Sequence, residues 1–318
     1  LQDSLDYQLS LNRAVLDYAS RNKERLLFNI YRMGANSIER GSRDTWTVTP
    51  SKVDELASAA PYTPPGEDPA ARRPWAPKRV DPKLYKEVMQ APEDRDPRVY
   101  VISPEQRDFP TAIAFLNALI KNGVEVEKAE SAFSAGGKTY PAGAYIVRTA
   151  QAYRPHVMDM FEPQDHPHDT EYPGGPPKAP YDVTGYTLAY QMGVEFDRLF
   201  DGVEGTFSIV PDLLTPPPGS VEGQAGAGWI VSHDANNSFI LTNRLLKAGI
   251  EAAWLKDETR VNGAAMAPGA IWIPASQTAG DIVARSVAEL GVDAMAVSAK
   301  PQGETIALKP VRIGLVDR

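Results

Sequence analysis

The sequence predicts an α/β protein: two related Rossmann-like or flavodoxin-like units, preceded by a long amphipathic helix and joined by proline-rich segments. The first observation behind this reading is a strand, helix, strand pattern written twice. One copy runs from Val99-Tyr100-Val101-Ile102-Ser103, through the apolar stretch from Ala112 to Val124, to Gly143-Ala144-Tyr145-Ile146-Val147. The other runs from Trp229-Ile230-Val231-Ser232, through Asn243 to Ile250, to Gly269-Ala270-Ile271-Trp272-Ile273. Gly123 matches Gly249 and Gly143 matches Gly269 at one common offset, the mark of a shared supersecondary plan. The second observation is bulk: 318 residues, 42% of them hydrophobic, can bury two cores.

The elements follow in chain order. Residues 1–58 form the helical segment, where Leu5, Leu9, Leu16, Ala19, Leu26, Ile30 and Met33 recur at helical spacing, interrupted by Asn12 and Lys23. This helix, or two in series, needs a neighbour for its apolar face, which the sequence places upstream. A membrane-surface helix is the other reading, since Arg13, Arg21, Arg25 and Arg32 are present, but Asp3, Asp6, Asp17 and Glu24 dilute that charge. Residues 59–97 are a proline-rich linker with room for one short helix from Pro82 to Met89.

Residues 98–214 hold the first unit. Within it Gly136-Gly137-Lys138 reads as a turn between strands, and the aromatic stretch from Tyr153 to Tyr186, too rich in proline and glycine for regular structure, reads as an ordered surface loop. A helix is expected to resume from Thr187 to Phe200. A second linker, 215–228, leads to the second unit at 229–310, and 311–318 reads as the first strand of a further domain. With no initiator Met at its start, the chain is expected to be an internal piece of a longer protein.

Composition narrows the function. The net charge of −8 is spread along the chain without Lys/Arg clusters interleaved with aromatics, so nucleic acid is not an expected partner. No apolar run approaches the roughly 18 residues of a membrane span, and no membrane partner is expected. The absence of cysteine removes disulfides, thiolate metal sites and a cysteine nucleophile. The turn after the first strand, Ser103 to Pro110, lacks the glycines of a dinucleotide or phosphate loop.

Two constellations remain. His156, Glu162, His166 and His168 fall close together beside Asp159, Asp165 and Asp169, and imidazole with carboxylate is a ligand set for a divalent ion. The prolines among them oppose convergence, so no metal site is expected, and an autonomous metal-dependent hydrolase stands as the alternative function. Ser103 and Ser232 end the first strands of the two copies, with His233 directly after the second, where α/β folds place ligand-binding groups. They are candidates for a small-molecule crevice. No nucleophile elbow surrounds either serine, so no catalytic residue is assigned.

Several longer runs are informative together: Asn12 to Asn22, Met160-Phe161-Glu162-Pro163-Gln164-Asp165-His166-Pro167, Tyr172-Pro173-Gly174-Gly175-Pro176-Pro177, and Pro180 to Leu188. In this order they resemble large bacterial M14-family zinc carboxypeptidase-like proteins, in the region after the peptidase domain. The resemblance implies a periplasmic or extracellular parent whose upstream domain binds zinc through His-x-x-Glu and a later His. It also implies that the downstream domain resembles a class I glutamine amidotransferase fold. None of the zinc pattern matches a position here, so no cofactor is expected in this chain. The expected role is that of a non-catalytic accessory region, with the upstream peptidase domain as partner and peptide as a possible substrate.

Overall fold

The computed structural model describes residues 2–68, 79–179, 186–224, 226–261, 263–311 and 313–314. Two helices in series, α1 (Gln2–Arg21) and α2 (Lys23–Gly41), form an arm that continues through α3 (Pro50–Ser58). The short helix expected in the first linker is present as α4 (Pro82–Met89), started by Pro82 and by the Asp81 carboxylate, which accepts from the Lys83 amide.

The first unit opens with β1 (Val99–Ile102), crosses through α5 (Phe109–Lys121) to β2 (Glu127–Ala129), and makes the hairpin β3 (Phe133–Ala135) and β4 (Lys138–Tyr140). It continues with β5 (Tyr145–Arg148), α6 (Arg154–Phe161), α7 (Leu188–Gln191), β6 (Asp197–Leu199) and β7 (Phe207–Ile209). The hairpin turn forms at Gly136 and Gly137, both at positive φ (59° and 78°), which matches the sequence expectation.

The second linker contributes β8 (Val221–Glu222). The second unit then repeats the plan as β9 (Gly228–Val231), α8 (Asn237–Lys247), β10 (Ala253–Leu255), the hairpin β11 (Thr259–Val261) and β12 (Ala264–Met266), and β13 (Ile271–Pro274). It closes with α9 (Gln277–Leu290), β14 (Ala294–Val297) and β15 (Thr305–Ala307).

The sheets have orders β6-β1-β5-β2-β7 and β15-β10-β13-β9-β14-β8, so the five-strand arrangement of the first recurs in the second. The duplication extends to single hydrogen bonds. Gly143 N donates to Ala129 O and Gly269 N to Leu255 O, while Val124 N donates to Leu119 O and Ile250 N to Leu245 O. The four matched glycines all sit at positive φ, between 73° and 95°, where a side chain would be strained.

The α/β class stands, but the Rossmann-like or flavodoxin-like arrangement does not. Those folds need parallel neighbours, whereas every neighbouring pair here is antiparallel except β8 with β14. The crossover through α5 does connect strands of like direction, but β5 is inserted between β1 and β2, giving the split βαβ plan of ferredoxin-like folds.

Each sheet is buried on both faces. Tyr100 and Ile102 of β1 join the core under the helices with Phe115, Leu116 and Phe161, while Val99 and Val101 join a second core under the hairpin with Phe133 and Tyr140. In the second unit Trp229 and Val231 face α8 and α9, and Ile230 faces the hairpin with Val261 and Met266.

Three further expectations change. The loop expected from Tyr153 to Tyr186 opens instead with the helix α6, where Pro155 in the first turn suits a helix start, and residues 180–185 of that stretch lie outside the described residues. The helix expected from Thr187 to Phe200 ends at Gln191, because Gly193 turns at φ 67° and Asp197–Leu199 is drawn into the sheet against β1. Of the strand expected at 311–318, residues 312 and 315–318 lie outside the described residues, and Val311, Ile313 and Gly314 carry no strand.

Asp108 joins the two units. Asp108 caps α5 through the Thr111 amide (3.1 Å), and its Oδ2 also accepts from the Thr111 hydroxyl (2.7 Å), the Asn236 amide (3.0 Å) and Asn236 Nδ2 (3.0 Å) at the start of α8. Arg107 pairs with Asp234 beside it. Asp108→Ala removes a cap and strands the partners of the second oxygen, so urea unfolding should show a loss of about 2 kcal/mol. A loss under ~0.5 kcal/mol, the scale of an ordinary surface change, would mean that this junction carries no weight.

Candidate functional site

A groove of about 1360 Å³ runs between the chain after α2 and the outer side of α6. Its geometry begins at Gly41, where a Cβ would fall 2.2 Å from the Thr149 carbonyl oxygen, so α2 ends directly against the first unit's backbone. From there Asp44 accepts from Arg98 (2.8 Å) and Arg95 (3.1 Å), and these guanidiniums hold its carboxyl below the usual carboxylate range. Trp46 Nε1 donates to the Ala91 carbonyl at 2.7 Å.

Asp96 lies at the centre of this attachment. It accepts from the Thr45 hydroxyl (3.1 Å), the Thr47 amide (3.0 Å) and Arg154 Nη2 (2.7 Å). Asp96 and Arg154 are both buried. Burial lowers the pKa of Arg154, and the facing carboxylate offsets part of that. A buried pair of this kind is costly to break from one side, because the remaining charge has no water to turn to.

Glu162, a metal candidate from the sequence, lines the same groove. The buried Tyr100 hydroxyl donates to its Oε1 at 2.6 Å, Arg198 Nε donates to the same oxygen at 3.0 Å, and Arg198 Nη2 reaches Oε2 at 2.9 Å. The Tyr100 ring stacks on Phe161 at 4.1 Å, and burial, followed by the Glu162 charge, pushes its phenol far up.

The three histidines go elsewhere. His156 lies on α6 with Nε2 buried and without a hydrogen-bond partner among the described residues, His166 Nε2 is 3.3 Å from Tyr186 Oη, and His168 is exposed. Asp165 is held by the Ser51 amide (3.1 Å) and hydroxyl (2.6 Å), which lower its pKa. Among the described residues no group of three His, Cys, Asp or Glu side chains could hold a metal ion.

The crevice candidates are turn-formers. Ser103 Oγ accepts from the Glu105 amide and Ser232 Oγ from the Asp234 amide, each at 3.1 Å, the same local turn in both copies. His233 packs on Gly269, with its Nδ1 buried and unpartnered. An antiparallel sheet has no strand-order switch point of the kind that places a ligand crevice in parallel α/β folds. Ser103 does line a separate cleft of about 260 Å³ with Glu105, Lys138, Tyr140 and Asp197. There Lys138 pairs with Asp197 at 2.6 Å, and burial with the Asp197 charge pushes the Tyr140 phenol up to about 12.

Sequence reasoning passed over Asp96, Arg154 and Asp108. Arg154 shares a helical face with Val157 and Phe161, a signal that it is buried and needs an anion. Asp108 stands three residues before Thr111 at the start of an apolar helix, which is a capping pattern.

Asp96→Ala should cost about 3–5 kcal/mol in urea unfolding by leaving Arg154 buried alone. The raised tyrosines give a second test. Tyr100, Tyr140 and Tyr145 all have folded pKa values above the ordinary 10.0. Their contribution to stability is present in full below pH about 10 and is lost above it, because only the unfolded phenols then release protons. The urea midpoint should fall as pH rises past 10, and a flat profile would contradict the burial of these hydroxyls. Comparison of the chain with protein-family models, curated proteins and solved structures finds no match in any of the three.

Proposed function

We propose that this chain is the accessory region of an M14-like zinc metallocarboxypeptidase, without catalytic residues of its own, and that it packs on the peptidase domain through α1 and α2. The observation that carries the reading is the arm. Leu5, Leu9, Leu16, Leu27, Phe28, Ile30 and Met33 are all exposed along α1 and α2, and no residue of α1 is buried. In proteins most helical stability comes from packing an amphipathic face, and each Leu or Phe side chain that becomes buried contributes roughly 1.5–3 kcal/mol. A partner surface is therefore the physical completion of this arm, and the resemblance to the region after the peptidase domain supplies its identity.

The engagement of the candidate reactive groups supports a scaffold role. Glu162 serves Tyr100 and Arg198, Asp165 serves Ser51, and both candidate serines serve turns. On this reading zinc, water activation and peptide hydrolysis belong to the upstream domain, in a periplasmic or extracellular parent, while the groove beside α6 fixes the angle at which the arm leaves the first unit.

Hydrogen–deuterium exchange separates the outcomes. Amides of residues 2–41 should exchange quickly in the 318-residue chain and be strongly protected in the longer parent polypeptide. Equal, fast exchange in both would overturn the docking. Concentration-dependent protection in the isolated chain would identify a second copy as the occupant instead.

A further inference from the structure

The two units differ in what covers their first helix. In the first unit the segment after β7 turns back over α5. Val210 N donates to Val126 O at 2.9 Å, and four residues later the Asn117 side chain grips the backbone at two points. Asn117 Nδ2 donates to Leu214 O (2.9 Å), and Leu214 N donates to Asn117 Oδ1 (2.7 Å). Leu214 thereby packs on the core that contains Ile113, which is only 1% exposed.

The second unit repeats the first half of this arrangement. Leu308 N donates to Ala252 O at 2.8 Å, in the place of Val210 and Val126. The register set by Gly123 and Gly249 makes Phe239, Ile240 and Asn243 the counterparts of Ile113, Ala114 and Asn117. Here Phe239, the counterpart of the buried Ile113, is 41% exposed, Ile240 is 44% exposed where Ala114 is exposed too, and among the described residues the exposed Asn243 amide has no hydrogen-bond partner. The same four-residue reach from Leu308 ends between Val311 and Ile313, which are 83% and 91% exposed.

We propose that the outer face of α8 is a docking surface for this chain's own segment after Leu308, with Asn243 gripping its backbone as Asn117 grips Leu214. The first copy supplies the template for occupant and contact. An amide that pairs with one N–H and one C=O reads backbone, so it does not require a leucine at the gripped position. Val311 and Ile313 flank that position and carry apolar side chains to lay over Phe239 and Ile240. Covering these four residues removes a contiguous apolar surface from water, and the amide pair gives the segment one register instead of a sliding contact.

The chain contains no cysteine, so engineered pairs report without background. Phe239→Cys with Val311→Cys, and Ile240→Cys with Ile313→Cys, change only exposed positions and leave both cores intact. Under mild oxidation at least one pair should close within a single chain about tenfold faster than a control pair of Val311→Cys with Tyr190→Cys on the first unit. Adding Asn243→Ala should lower that rate several-fold. Closure no faster than the control overturns the proposal, and so does a product made only of cross-linked dimers, which would assign the face to a second copy. A rate unchanged by Asn243→Ala removes the asparagine grip and with it the inference from the first unit.

Discussion

Burial of both faces of each sheet is the constraint from which the rest of this structure follows. The central strands are four residues long and have almost no water contact on either side, with helices against one face and a small hairpin against the other. A strand that short has little pairing of its own to rely on, so its stability comes from side chains packed above and below. The hairpins β3–β4 and β11–β12 matter for that reason: without them Val101 and Ile230 would face solvent. The loops that receive the arm and the linkers emerge from this two-sided packing and inherit its rigidity.

Electrostatics does the next level of work, and it is mainly attachment. Asp96, Asp44, Glu162 and Asp165 each draw a distant stretch of chain onto the first unit. A carboxylate already facing two or three donors would have to release them before it could take up another partner. The groove beside α6 is rich in ionisable groups for this structural reason.

Much of the fold was legible in the sequence. The matched glycines exposed the duplication because their turns need positive φ, and Gly136-Gly137 named its hairpin for the same reason. Strand direction was not legible. A run such as Val99 to Ile102 is apolar throughout because both its faces are covered, and this looks the same whether the cover is two helical layers or a helix and a hairpin. Strand β2, only Glu127–Ala129, is too short to show a period. The candidate histidines gathered in sequence but not in space, since α6 carries His156 while His166 and His168 lie beyond its end. Asp96 gave no signal, because its partner Arg154 is 58 positions away.

Asp108 has a consequence for how the molecule comes apart. Because one side chain caps α5 and also accepts from Asn236 at the start of α8, opening α5 removes an acceptor from the second unit as well. Two copies of one plan, each with its own core, would ordinarily melt as independent domains. Sharing this single acceptor couples their transitions, and it also limits divergence, since a change at that position is felt by both halves of the duplication at once.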